Sequence, residues 1–189
     1  MIPPLTEIVA SLIGASRLAR FDADGLAYFN DSVTGFWRSF FAAAIIAPFF
    51  MILLILRVAT DETDLSVPRY LALEAIAYVI AWVAFPLVMA YLARIMELQS
   101  RYFKYLTAYN WCGVIQNAVY LPIAILAYAG VIGDDLANTL ALLALIWILA
   151  FTWFVTRNAL ELPAGTAAGI VGLDFLLGLV IDAVANRMI

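Results

Sequence analysis

Histidine is absent from this chain. Its absence removes the commonest ligand of haem, chlorophyll-type pigments and transition metals, and the usual general base. There is one cysteine, Cys112, so no internal disulfide can form, and a single thiolate cannot hold zinc or an iron–sulfur cluster. Cys112 lies in an apolar run, where a thiol behaves as a small buried hydrophobe. No cofactor and no metal site are therefore expected. Charge is also scarce. Only 13% of the residues are charged, against about 25% in an ordinary soluble domain, and 66% are apolar. That balance is the signature of a polytopic membrane protein. The net charge of −4 disfavours nucleic acid, which is bound through clustered Lys and Arg.

The N-terminus lacks the pattern of a cleavable signal. No basic residue precedes Arg17, Glu7 and Ser11 interrupt the apolar positions, and Ile2 excludes myristoylation. Leu5, Ile8, Val9, Leu12 and Ile13 instead recur at helical spacing on one face, with Thr6, Glu7, Ser11 and Ser16 outside the stripe. Such a helix is too short to span. It can lie in the membrane interface or pack on the protein's own cytoplasmic face, and both uses stay open. Residues 22–34 read as a short capped helix and a turn, anchored by Leu26 and Phe29.

Five apolar stretches follow, at about residues 36–56, 70–93, 105–129, 136–156 and 163–187, each long enough to cross ~30 Å of hydrocarbon. Arg57, Asp61, Glu62, Asp64 and Arg69 make a polar loop between the first two. The fold class is all-α: a five-helix integral membrane bundle over residues 36–189, preceded by an N-terminal amphipathic segment over residues 1–35. A cytoplasmic N-terminus puts seven of the ten basic residues inside, so the positive-inside rule favours N-in and C-out. Trp37 at the first span, and Tyr109 and Trp111 in an aromatic belt with Tyr102, Phe103 and Tyr105, are expected as interface anchors. Pro48, Pro86 and Pro122 fall inside spans one to three. They read as ordinary bends, because no substrate-sized polar lining is visible along the chain.

Asp174 is the one carboxylate in the middle of the fifth span, about 16 Å from Pro163 at ~1.5 Å per residue. A carboxylate at that depth costs roughly 2.5–3.5 kcal/mol and needs a partner, a proton or a purpose. Gln116 and Asn117, at matching depth in span three, are the expected partners. Gly165, Gly169, Gly172 and Gly178 place small residues on both faces of span five, which predicts close packing between neighbouring helices. Glu74, near one end of span two, is expected to be solvated or paired with Arg69 or Arg57, and Arg94 with Glu97 to form an exposed pair. No enzyme is expected. Asp174 and Asp182 share one helix, which excludes an aspartyl-protease pair, and no Ser/His or Cys/His pair exists.

Thr34-Gly35-Phe36-Trp37 enters the first span, and Ala108-Tyr109-Asn110 precedes Pro122 in the third. In these elements, and in a layout of five spans behind a cytoplasmic segment over residues 31–186, the chain resembles the Yip1-type family. That family carries a Tyr-Gly-Pro-Phe-Trp-like entry motif, here without the Tyr and Pro, and a Gly-Tyr-Ser element. The resemblance implies a non-enzymatic scaffold or accessory protein acting through protein or lipid contacts. Two other functions stay open: a small carrier or channel using Asp174, and a packing subunit of a larger membrane complex. The expected partners are the lipid bilayer and a larger assembly or further copies of the chain.

Overall fold

The computed structural model describes residues 2–60 and 66–188. It is all-α, with no strand among the described residues. Helix α1 (Leu5–Leu18) leads through a 3-10 turn (Ala23–Tyr28) to α2 (Val33–Ser39) and α3 (Phe41–Thr60). Four long helices follow: α4 (Val67–Ile95), α5 (Gln99–Tyr128), α6 (Asp134–Leu160) and α7 (Ala164–Met188). Together α2 and α3 make one apolar stretch, and with α4 to α7 they give five helices long and apolar enough to cross a membrane. The architecture is that of a multi-pass membrane protein. The helices run past the ends of the apolar stretches because polar end residues still propagate a helix outside hydrocarbon. Residues Asp61, Glu62 and Asp64 of the polar loop lie outside the described residues.

Helix ends are written in the sequence. Ser32 caps α2, its hydroxyl accepting from Gly35 N–H at 3.0 Å, and Asp134 and Asp135 place negative charge at the start of α6. Helices α1, α4 and α6 are each followed within three residues by one with positive φ: Phe21, Glu97 and Glu161. The residue after each donates its N–H five positions back, Asp22 to Arg17, Leu98 to Ala93 and Leu162 to Arg157, which closes the last turn. Pro48, Pro86 and Pro122 lie inside continuous helices.

Helix α5 is the axis of the bundle, packed against α1, α2, α3, α4 and α6, while α7 packs on α4 and α6. The main core fills the half of the bundle next to α1. It contains Leu18, Phe85, Met89, Tyr105, Trp111, Phe151 and Leu160. The other half has only a small cluster, Ile46, Leu53, Leu121 and Ala124. Helices α3 and α4 touch sparingly there, and the gap between them becomes important below.

Of the two uses open to α1, packing on the protein is realised. Its buried face is Ser11, Gly14, Ala15 and Leu18, set against the 3-10 turn and α5. The apolar stripe of the sequence is only partly used, since Leu5, Val9 and Ile13 are exposed. Small residues win the protein face because the backbones come so close. A Cβ on Gly14 would meet Gly25 O at 2.8 Å, and one on Gly25 would meet Gly14 O at 2.6 Å. Arg38 closes the junction by donating to Glu7 at 2.9 Å. Phe29 is buried and Leu26 half-buried, as the anchoring role requires.

Candidate functional site

Where the second half of the bundle lacks a core there is a cleft of about 410 Å³, walled by α3, α4, α5 and α7. Each wall is one helical stripe. Helix α3 contributes Ile46, Phe50, Leu53 and Arg57; α4 contributes Glu74, Tyr78 and Trp82; α5 contributes Tyr109, Gly113, Gln116, Asn117 and Tyr120; α7 contributes Asp182 and Asn186. Spacings of three, four and seven put each set on one face of its helix. From Tyr120 to Tyr109 the α5 wall descends about 16 Å at ~1.5 Å per residue, half the thickness of a bilayer core.

Charge collects towards the end remote from α1. The Arg57 guanidinium stands 3.9 Å from the Glu74 carboxylate, too far for a hydrogen bond, and also lies over the Tyr128 ring. Arg57 Nε is buried and has no partner among the described residues. Glu74 is 8% exposed, so the expected solvated position is corrected to a buried one paired with Arg57. The cause is that Glu74 faces the gap between α3 and α4 rather than the outside of the bundle. At the other end Arg101, not Arg94, makes the ion pair between helices, reaching Glu161 and the Leu160 carbonyl.

The expected Asp174 contact is also corrected. Tyr109 OH lies 2.9 and 3.0 Å from the two Asp174 carboxylate oxygens and donates to them. Gln116 donates instead to Thr152 Oγ1 at 3.0 Å, and Asn117 to Gly113 O of its own helix at 2.9 Å. The reason is depth. Helix α5 begins at Gln99, so Tyr109 and Asp174 are each ten residues into their helices, while Gln116 is two turns further on. Tyr109 also lines the cleft, so its hydroxyl connects the cleft floor to Asp174.

The glycines of span five do not pack closely on any of the described residues. A Cβ on Gly165, Gly169, Gly172 or Gly178 would meet nothing within 4 Å, and the face α7 buries is Ala167, Ile170 and Val171. Of the three expected anchors, Trp37 is 59% exposed and suits that position. Trp111 is 1% exposed and Tyr109 is tied to Asp174, because this part of α5, with Tyr105, Leu106, Ala108 and Cys112, is built into the core of the bundle. Asp182, Asn186 and Tyr120 carry no role in the sequence reading, and Arg57 enters it only as a possible partner of Glu74. Their only signal was polar residues at helical spacing near span ends, which also describes ordinary interfacial residues. Among the described residues no group of three His, Cys, Asp or Glu side chains is placed to hold a metal ion.

Comparison with known protein families, curated proteins and solved structures finds no match for this chain.

Proposed function

We propose that this protein is a non-enzymatic membrane carrier that binds a small polar solute in the cleft between α3, α4, α5 and α7. The carrying observation is the cleft itself. A volume of about 410 Å³ is in the range of small-molecule sites, and the lining combines aromatic walls with a few convergent polar groups. Gln116 and Asn117, the expected partners of Asp174, line this space instead. Pro48, Pro86 and Pro122 lie in three of the four helices that wall the cleft, where a proline bend can act as a hinge.

The reading is tested by thiol labelling. Cys112 is buried and unreactive from outside, so a cysteine placed elsewhere reports alone. Ala77→Cys, on the cleft wall, is expected to react with a membrane-impermeant thiol reagent, because thiolate forms only where water reaches. Ile80→Cys, on the exposed apolar face of α4, is expected to stay unlabelled in bilayers. Equal silence at both positions would remove the cleft as a solute site.

A second reading, a Yip1-like accessory protein, is supported by one contact. Asn110 Nδ2, in the second stretch that carries the resemblance, donates at 2.8 Å to Ser39 Oγ, two residues beyond the first. Stoichiometric co-purification of another membrane protein in mild detergent would favour it over the carrier.

A further inference from the structure

We infer that the solute taken by the cleft is a small organic cation, an ammonium-bearing molecule seated between Glu74 and Asp182. The inference rests on the carrier reading and adds the charge class of the ligand.

Three charged side chains line the cleft: Arg57 from α3, Glu74 from α4 and Asp182 from α7. One guanidinium faces two carboxylates, so the lining carries one negative charge in excess. Arg57 does not close on Glu74, and at 3.9 Å the pair is open enough to exchange partners with an incoming donor. Glu74 is held nine-tenths buried, where a charge is strongly favoured to find a counter-charge. Gln116, Asn117 and Asn186 supply amide carbonyl oxygens that an ammonium group can use alongside the carboxylates. Tyr78, Trp82 and Tyr120 add ring faces, and Tyr78 and Trp82 already lie 6.2 Å apart, centroid to centroid. Aromatic faces beside carboxylates are the usual recognition chemistry of ammonium groups.

An anionic solute would find one guanidinium set against the two carboxylates of Glu74 and Asp182 in the same cleft.

The test uses four probes of similar size with the full chain in detergent: ethanolamine and choline as cations, ethylene glycol as the neutral analogue and glycolate as the anion. The cations are expected to raise the melting temperature with concentration and to slow labelling of Ala77→Cys, with ethylene glycol and glycolate doing neither. Glu74→Gln and Asp182→Asn are each expected to weaken cation protection about tenfold, while Glu97→Gln, at the opposite end, leaves it unchanged. Should either cleft variant fail to fold, protection of Ala77→Cys in the otherwise native chain decides alone. Protection by glycolate or ethylene glycol equal to that by the cations overturns the cation class and leaves the solute site standing. Labelling that no probe slows overturns the inference while the water-filled cleft remains. Absence of labelling overturns both readings together.

Discussion

Tyr109 and Asp174 show how a single hydroxyl settles a carboxylate between helices. Phenylalanine at position 109 deletes the donor and leaves the acceptor, and a buried polar group without its partner costs about 1–3 kcal/mol. Tyr109→Phe is therefore expected to lower the denaturation midpoint of the detergent-solubilised protein. Adding Asp174→Leu should recover most of the loss, since removing both partners is far cheaper than removing one. A double-mutant cycle gives the coupling, and a value near zero would mean that the two side chains do not depend on each other. The presence of a polar contact at Asp174 was legible in the sequence, because an isolated carboxylate in an apolar helix demands one. Its partner was not legible. Apolar run length marks where hydrocarbon begins, whereas α5 begins six residues before its run does, and two turns of error exchange Tyr109 for Gln116. Trp111 failed for a related reason: an aromatic residue near a span end looks the same whether it meets headgroups or the core of the bundle.

At the scale of elements, the glycines divide into two kinds that the sequence does not distinguish. Gly14 and Gly25 are pressed backbone to backbone, so Gly14→Ala is expected to loosen α1 from the 3-10 turn at a cost of about 1–3 kcal/mol. Hydrogen exchange in α1 would rise, and unchanged exchange would contradict the close approach. Gly169 has nothing within 4 Å of an added Cβ, so Gly169→Ala is expected to stabilise α7 by about 0.5–1 kcal/mol. Loss of stability there would instead reveal a neighbour from another chain. The junction after α1 also carries a pH signature. Arg17 donates to Asp22 at 2.6 Å and holds that carboxyl below its ordinary value, helped by Asp24 N–H. The depressed value means that the stabilisation is complete above about pH 3.9 and is lost as pH falls through the folded value. Exchange of the 3-10 turn amides should therefore increase on acidification below about pH 4, and Asp22→Asn should abolish that dependence. The spans were legible because each needs some 20 apolar residues. Which face of each helix meets which neighbour was not, since lipid and core select the same side chains.

For the molecule as a whole, five helices long and apolar enough to cross a membrane predict that residues 2 and 188 lie on opposite sides of it. Reporters fused at the N- and C-termini are expected to be accessible from opposite faces in oriented vesicles, and the same side for both would mean that α7 does not cross. The uneven core gives this bundle two halves with different duties: one dense, fastened by α1, the other thinly packed and open. The cleft escaped the linear reading because no single helix contains it. It exists only where four stripes face one another across a gap in apolar packing. The fastened half also sets an order of events during synthesis. Phe21 packs edge-to-face on Phe154 at 5.4 Å between centroids, so this contact waits for α6 even though α1 also packs on the earlier 3-10 turn and α5. At about 5–20 residues per second that interval is on the order of ten seconds, through which Phe21 stays without this neighbour. Closing the N-terminal segment against α6 is therefore a late step of biogenesis, and the nascent chain must be shielded until it happens.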